Sequence, residues 1–274
     1  MEKKPDPLTS ILEALREGTP LVILDDPGRE GEADLILHAS FLTPKNVGLL
    51  RARAGGLVCL GMDMATAGAL QIPFAADLLR QSASPTLRAL ALSRAPYGDP
   101  SAFSVWVNHK STFTGITDED RSKTILAFEK MVRESVPRQN KGKAGETASP
   151  VSIRRAGEAK SGESISERFV KEFYSPGHVP LLIARELSVR QGHTDFGLAL
   201  ARRAGMSPAV VMCEMLGDDS KALPWADARR LARENGWPSV DGQTLLNLLG
   251  VKKNEGGPTM NGDGPAARPK RGTS

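Results

Sequence analysis

The first part of the chain alternates between amphipathic stretches and short apolar runs. Between Asp6 and Gly18 the apolar residues recur with the helical period, which predicts a helix that Gly18 ends. Residues 21–24 are all apolar and predict a buried strand, and a second helix is predicted over residues 43–55. The next apolar run, 57–60, predicts another buried strand. Strands and helices that interleave in this way are typical of a layered fold built on a sheet.

The same periods continue further along the chain. Alternation of polar and apolar residues at 104–108 predicts a strand, and the acidic cap from Thr117 to Asp120 predicts a helix that runs through Phe128. The remaining predicted strands are 180–183 and 208–215, and the remaining predicted helices run from 192 to 205, from 225 to 235 and from 244 to 249.

Two segments break the pattern. Residues 133–166 are rich in Lys, Gly, Ser and Glu, and residues 251–274 are rich in Gly, Pro and basic side chains. Burial cannot offset the ordering entropy of such compositions. The sequence therefore predicts one domain over residues 1–250, interrupted by a disordered surface insertion at 133–166 and followed by a disordered basic tail at 251–274.

The net charge of +4 originates in these two segments. Residues 131–166 hold seven basic and four acidic side chains, and residues 252–274 hold five and two, so each carries +3. The rest of the chain is left with a net charge of −2. Because the basic charge lies outside the folded domain, we do not expect nucleic acid to be a partner of that domain.

Length and composition fit a single globular core, with 40% hydrophobic and 25% charged residues among 274. Cys59 and Cys213 lie in apolar runs and are expected to be buried strand thiols, which suits a reducing compartment, although a disulfide between them stays open. No apolar stretch reaches the length of a membrane span, and the N-terminal residues lack the apolar region of a signal peptide. We therefore expect a soluble, cytoplasmic protein without membrane contacts.

A dense acidic segment follows the first predicted strand. It contains five carboxylates and one arginine within ten residues. Hard oxygen ligands at this density suit a divalent cation such as Mg²⁺, although a solvated acidic loop explains the segment alone equally well. The side chains are those of Asp25, Asp26, Arg29, Glu30, Glu32 and Asp34.

A second polar group lies at a predicted helix start. Arg190, Gln191, Gly192, His193 and Thr194 combine an arginine, a hydroxyl and free backbone N–H groups, where the helix dipole favours an anion such as phosphate. The neutral imidazole of His193 could also ligate a metal. Taken alone, the group is more typical of an ordinary threonine N-cap beside a surface histidine.

Two shorter motifs accompany these groups. Residues 175–178, Ser-Pro-Gly-His, precede a predicted strand, and Glu214 follows Cys213 near the end of another. A glutamate at that place is either desolvated and suited to general acid–base chemistry or simply exposed at the strand end.

Together, and in this order, the segments resemble 3,4-dihydroxy-2-butanone 4-phosphate synthases, most of all the archaeal-type sequences. The resemblance is nearly continuous over residues 8–132 and 169–249. The motifs that carry it are Leu24–Asp34, Gly56–Leu60, Phe103–Val105, Thr114–Arg121, Ser175–His178, Gly192–Thr194 and Pro208–Leu216.

The resemblance implies an α+β fold, a single domain with a mixed β-sheet core and surrounding helices of the three-layer α-β-α type. It implies a lyase of riboflavin biosynthesis that converts ribulose 5-phosphate to 3,4-dihydroxybutan-2-one 4-phosphate and formate with Mg²⁺ or Mn²⁺, and that works as a homodimer. Arg190 and Thr194 would hold the phosphate, and Cys59 would lie beside the pocket. The implied metal ligands are Glu30 and His193, the implied catalytic residues are His178 and Glu214, and the implied substrate-binding residues are Arg29, Glu30, Asp34, Arg190, Gln191, Gly192, His193, Thr194 and Glu214.

Four positions depart from the residues usual in that family. Gly31, Ala33, Tyr174 and Asp195 stand where Asn, Gly, Arg and Glu are common. Because of the last two, a second hypothesis is a related sugar-phosphate enzyme with a different outcome, for example enolisation alone. A third hypothesis, which rests on the basic segments, is non-enzymatic binding of nucleic acid or another anionic partner.

Overall fold

A computed structural model of the protein describes residues 6–26, 28–91, 94–135 and 163–251. The strands are β1 (Leu21–Leu24), β2 (Ala33–His38), β3 (Cys59–Met62), β4 (Phe103–His109), β5 (Phe173–Ile183), β6 (Ala209–Glu214) and β7 (Ser239–Asp241). They form one mixed sheet in the order β4-β5-β3-β6-β2-β1-β7. The pairs β3–β5 and β1–β7 are parallel, and the other neighbours are antiparallel.

Helices cover both faces of this sheet. Their ends follow the local chemistry: Asp6 caps the first helix by accepting a hydrogen bond from the Thr9 N–H, and Gly18 ends it in the left-handed conformation at φ +73°. The helices are α1 (Pro7–Glu17), α2 (Pro44–Arg53), α3 (Met64–Leu70), α4 (Ala75–Arg80), α5 (Pro85–Leu90), α6 (Asp118–Ser135), α7 (Ile165–Glu172), α8 (His193–Arg203), α9 (Trp225–Glu234) and α10 (Gly242–Leu248), with a short 3₁₀ turn at Ala39–Phe41.

Two separate apolar cores lie on the two faces of the sheet. Alternate residues of a strand face opposite ways, so Leu35 belongs to the core that holds residues of α2, α6, α7 and α9. Its neighbour Ile36 belongs to the core that holds residues of α1, α8 and α10. Every residue of β2 is buried because both faces are covered. This is the predicted three-layer α-β-α arrangement, and the prediction of an α+β fold is confirmed.

Some predicted elements are displaced. β3 begins at Cys59 and not at Leu57, whose backbone N–H donates to the Glu214 side chain. β5 begins at Phe173, so the motif 175–178 lies inside a strand. The prediction that this motif precedes a strand is wrong. β2 was not predicted, and it takes up the end of the acidic segment.

The ends of the predicted insertion belong to helices. Arg133–Ser135 lie in α6, and Ser164 caps α7, so the first and last residues of 133–166 are helical. Residues 136–162 of the predicted insertion and all but Val251 of the predicted tail lie outside the described residues. Within the described part of the chain, none of the helices has the length and apolar character that crossing a bilayer requires.

Candidate active site

Two carboxylates meet where β2 pairs with β6. Asp34 lies opposite Glu214 in the antiparallel register, so the two side chains share one face of the sheet. The Glu214 carboxylate accepts a hydrogen bond from the Leu57 N–H at 2.7 Å, and the backbone carbonyl of Glu214 accepts one from the Gly56 N–H at 3.0 Å. A Cβ at Gly56 would lie 2.5 Å from Glu214 Oε2. Glycine at position 56 therefore permits the close approach that fixes this carboxylate.

His193, the first residue of α8, lies against the same carboxylates. Its Nδ1 is 3.3 Å from Asp34 Oδ1 and 3.6 Å from Glu30 Oε2. His193 Nε2 and Asp34 Oδ1 are buried and have no hydrogen-bond partner among the described residues. The alternative of a surface histidine beside a threonine N-cap is therefore wrong: His193 is buried, and Gly192 is the N-cap.

Burial and repulsion between carboxylates dominate the electrostatics of the cluster. Burial raises the pKa of Asp34 to about 7, with Glu214 adding to the effect and His193 opposing it. Burial and the charge of Glu30 also raise the pKa of Glu32. Burial disfavours the charged imidazole of His193, but the carboxylates, Asp34 first, outweigh it and raise its pKa to about 9. The cluster thus concentrates negative charge that a bound cation would relieve.

Arg29 is held by carboxylates and by an aromatic ring. It donates to Asp25 Oδ2 at 2.7 Å and to Asp99 Oδ2 at 2.5 Å, and its guanidinium lies 4.9 Å from the centre of the Tyr97 ring. The Tyr97 hydroxyl in turn donates to Glu30 Oε1 at 2.5 Å. Burial works against the charged form of Glu30, but hydrogen bonds from its neighbours hold its pKa well below the ordinary value. The turn before β4 is thereby tied to the acidic segment.

Asp195 organises the residues that lead into α8. Its carboxylate accepts hydrogen bonds from Arg190 Nη1 at 2.7 Å, from the Gly192 N–H at 2.9 Å and from the Arg185 N–H at 2.8 Å. The contact with Gly192 is the side-chain half of a capping box. Burial raises the pKa of Asp195, and Arg190 opposes the shift. The shorter acid at position 195 therefore still supports the start of the helix that carries His193.

The predicted phosphate-binding side chains point in different directions. Arg190 is buried, and its Nε has no partner among the described residues. The Gln191 amide donates to the Leu187 carbonyl at 3.2 Å, and the Thr194 hydroxyl donates to Met212 Sδ at 3.4 Å. The structure therefore leaves Arg190 with an unused donor, whereas the side chains of Gln191 and Thr194 are directed elsewhere.

His178 lies apart from this cluster within the chain. β3 separates β5 from β6, so His178 and Glu214 are on strands about 10 Å apart. The His178 side chain is exposed, and its Nδ1 lies 3.1 Å from Asn108 Nδ2. Among the described residues no hydrogen bond joins the two predicted proton-transfer residues, and the His178 ring contacts Asn108 instead.

Both cysteines are free and buried. Burial raises the thiol pKa of Cys59, and the charges of Glu214 and Asp34 raise it further, which places this thiol close to the cluster. Burial likewise raises the pKa of Cys213 to about 12. Neither thiol is ionised near neutral pH, and the disulfide left open by the sequence is not formed.

Three side chains offer a set of ligands for a metal ion. Asp25, Glu30 and His193 each present one ligand atom, and these atoms lie within 4.8 Å of one another. Mixed carboxylate and imidazole donors suit Mg²⁺ or Mn²⁺. The unpartnered His193 Nε2 and the excess of negative charge both fit a divalent cation.

Two residues of this site were missed by the sequence reasoning. Tyr97 and Asp99 lie in a stretch with Pro and Gly whose only signal is a turn. Asp26, in contrast, is a turn residue, because its carboxylate accepts the Gly28 N–H at 2.7 Å. The predicted residues that the structure brings together are Arg29, Glu30, Asp34, His193 and Glu214.

The three-layer fold and the buried carboxylate–imidazole cluster define a class of protein, an α+β enzyme with donors for a divalent metal. The model of the family 3,4-dihydroxy-2-butanone 4-phosphate synthase matches residues 9–248. The chain is 39% identical over 243 residues to the 3,4-dihydroxy-2-butanone 4-phosphate synthase of Methanosarcina mazei, covering 86% of this chain and 87% of that protein. The chain belongs to the 3,4-dihydroxy-2-butanone 4-phosphate synthase family.

Solved structures agree on the fold. RibBX, a two-domain synthase from A. baumannii, aligns with a TM-score of 0.64 at 21% identity, over 90% of this chain and 59% of that one. A 3,4-dihydroxy-2-butanone 4-phosphate synthase in complex with two magnesium ions aligns with a TM-score of 0.61 at 24% identity, over 89% of this chain and 97% of that one.

Proposed function

We propose that this protein converts ribulose 5-phosphate to 3,4-dihydroxybutan-2-one 4-phosphate and formate, as a step of riboflavin biosynthesis. The observation that carries the proposal is the cluster of half-buried Glu30 with buried Asp34 and His193, beside Glu214, in a chain of this family. Such a cluster can hold a cation and, next to it, a carboxylate that moves a proton on a bound ketose.

Glu30 and His193 are the proposed metal ligands, with Asp25 beside them. A bound Mg²⁺ or Mn²⁺ supplies Lewis-acid polarisation of a carbonyl and its neighbouring hydroxyl. The solved relative in complex with two magnesium ions supports a divalent metal here. Asp34, whose pKa is raised to about 7 by burial, can hold or release a proton near neutrality.

Glu214 is the proposed base or acid on the other side of the cluster. Its carboxylate is oriented by the Leu57 N–H, so one oxygen is fixed and the other is free to exchange a proton. The raised pKa of Glu32, caused by burial and by Glu30, makes it a second proton carrier. Carboxylates in such different environments can serve as acid and base in one reaction.

The start of α8 is the proposed phosphate site. Backbone N–H groups of the first turn and the unused Nε of Arg190 favour an anion there. Gln191 would contribute through its backbone N–H, and Thr194 after its hydroxyl turns away from Met212. Gly192 would contribute by leaving room for the Arg190 guanidinium, since a Cβ there would lie 2.8 Å from it. Arg29 would hold the hydroxyl-bearing part of the substrate.

We further propose that the protein works as a homodimer. Large apolar side chains are exposed on β4, β5 and the loop after β4: Trp106 at 40%, Phe113 at 96%, Ile116 at 52% and Tyr174 at 40%. Exposed apolar groups gathered in this way indicate an interaction surface. His178 lies among them, so a second copy on this surface explains how His178 of one protomer could serve a cluster in the other.

Formate release tests the proposed function. The purified protein is incubated with ribulose 5-phosphate and Mg²⁺, with and without EDTA, and formate is measured enzymatically. We expect Mg²⁺-dependent formate, and a loss of at least about 100-fold in Glu30→Gln or His193→Ala, because Lewis-acid stabilisation is worth several kcal/mol. Glu119→Gln, on the exposed face of α6, is the matched control.

Binding of ribulose 5-phosphate without formate would contradict the synthase proposal. Deuterium uptake from D₂O into the sugar without formate would favour the hypothesis of enolisation alone. Full activity in Glu30→Gln or His193→Ala would contradict the metal assignment.

A further inference from the structure

Asn108 of β4 is buried beneath the exposed His178 ring. Asn108 Oδ1 accepts a hydrogen bond from the His178 backbone N–H at 2.8 Å. Its Nδ2 lies 3.1 Å from His178 Nδ1 and 2.9 Å from the Tyr174 hydroxyl. One amide therefore contacts both the backbone and the ring of His178, and it is itself held by a tyrosine.

The backbone contact fixes which way the amide points. A backbone N–H can only donate, so the Asn108 oxygen must face it and the NH₂ group must face the His178 ring and Tyr174. An NH₂ group offers no acceptor, so His178 Nδ1 has to be the acceptor of this contact. In the neutral imidazole the proton then resides on Nε2.

Two glycines lie against Asn108, and an aspartate holds one of these glycines in place. A Cβ at Gly115 would collide with the Asn108 side chain, and a Cβ at Gly177 would collide with the backbone of Val107 and Asn108. Gly115 itself is held at φ +84° by a hydrogen bond from its N–H to Asp120 Oδ2 at 2.9 Å. The surroundings therefore leave the Asn108 amide little freedom to rotate.

We infer that Asn108 is a positioning residue that holds His178 as the Nε2–H tautomer, with this N–H directed away from the chain's own interior. The inference rests on the proposed function, in which His178 transfers a proton. It assigns to His178 the form that can donate from Nε2, and it gives Tyr174 the task of holding the other amide proton.

Asn108→Asp is the decisive variant because it is nearly isosteric. A carboxylate still accepts the His178 N–H but offers an acceptor where the NH₂ group donated, so His178 should switch to the Nδ1–H tautomer. The protein is labelled with ¹⁵N-histidine, and the ring signals of its four histidines are recorded near neutral pH. The signals that vanish in His178→Gln identify His178, and the ring of His109, paired with Ser111 at 2.7 Å, is the internal control.

We expect an Nε2–H signature for His178 in the unmodified protein and an Nδ1–H signature in Asn108→Asp. We also expect kcat for formate release to fall about 10- to 100-fold in Asn108→Asp with little change in KM, because a general acid in the wrong tautomer loses much of its contribution to the rate. Asn235→Asp, at the end of α9, is the matched control and should leave both values unchanged.

An Nδ1–H signature in the unmodified protein, or an unchanged tautomer in Asn108→Asp, would overturn the inference. The spectrum of the unmodified protein decides even where the variant does not fold. Absence of formate from the unmodified protein would refute the proposed function alone, since the tautomer is read without turnover.

Discussion

Tyr97 joins the acidic segment to a turn that is distant in sequence. Its hydroxyl donates to Glu30, the proposed metal ligand, while its ring lies under Arg29. In Tyr97→Phe the ring stays and the hydrogen bond is lost, so Glu30 is less well oriented. We expect about 10-fold weaker Mg²⁺ binding by calorimetry, the lower end of what partners of metal ligands contribute.

Tyr174, the only other tyrosine of the chain, provides the control for that measurement. Tyr174→Phe removes a hydroxyl from a different part of the sheet and should leave Mg²⁺ affinity unchanged. Equal affinity in Tyr97→Phe and the unmodified protein, with the fold intact, would show that the hydroxyl does not orient Glu30.

His38 makes stability depend on pH outside the site. Burial lowers its pKa, although the hydrogen bond with the Ser207 carbonyl and the charge of Glu129 act in the opposite direction. The unfolded chain, with a histidine pKa of about 6.5, therefore takes up a proton before the folded protein does. The free energy of unfolding should fall as the pH drops below about 6.5 and level off below the folded pKa.

Urea unfolding at several pH values between about 8 and 5 tests this point, a window that brackets the ordinary histidine pKa. The decrease in the free energy of unfolding on acidification should be smaller in His38→Gln than in the unmodified protein, because only this imidazole is removed and all other titrating groups are common to both proteins. Parallel stability curves for the two proteins would refute the assignment to His38.

Among the elements, the segment before β3 approaches the end of β6 so closely at Gly56 that a substitution there must displace one of them. Gly56→Ala would force the Glu214 carboxylate or the strand to move, because a Cβ lies 2.6 Å from the Glu214 carbonyl. We expect a loss of about 1–3 kcal/mol in the free energy of unfolding, typical of overpacking, together with a fall in formate release.

Gly205→Ala separates these two effects. Gly205 has φ +72° with open space around it, so alanine there strains the backbone after α8 but does not touch the cluster. It should lower stability by about 1–2 kcal/mol and leave activity per folded molecule unchanged. Equal activity in Gly56→Ala would show that the position of Glu214 does not matter for turnover.

The elements that the sequence predicts best are those with a strong local pattern. α1, α6 and α8 each combine a capped start with an apolar face, and β1 is a short apolar run between breaks. β2 was missed because its residues are buried on both faces and follow an acidic loop without a break. β7 has three residues, and α4 and α5 bury none, so they leave no periodic signal.

At the scale of the whole molecule, the site depends on contacts that no local pattern contains. The acidic segment and the Gly192-His193-Thr194 motif could be found from residue types, and the resemblance placed them in one family. The pairing of Asp34 with Glu214 depends on the register of two strands far apart in the chain. The hydrogen bond from Tyr97 to Glu30 likewise joins two loop residues that are 67 positions apart in the chain.

The adjacent ends of α6 and α7 make it possible to delete the basic segment between them and so to test whether that segment contributes to catalysis. Arg168 of α7 donates to Glu134 of α6 at 2.9 Å, so the helix ends that flank residues 136–162 lie side by side. A short Gly-Ser linker in place of residues 138–160 should therefore close the chain without strain, and halving a loop changes its closure free energy by only about 0.6 kcal/mol.

The shortened protein also lacks residues 254–274. We expect its rate of formate release to stay within about 2-fold of that of the full chain, because the cluster lies on the sheet and α8. A 2-fold change in rate corresponds to less than about 1 kcal/mol. Filter binding of DNA at low and high salt, measured in parallel, tests the basic segments themselves. Salt-dependent binding that the deletions abolish would give those segments a second role, because phosphate contacts by Lys and Arg weaken steeply with salt. Loss of formate release from a shortened protein of unchanged thermal stability would instead place part of the catalytic machinery in the deleted residues.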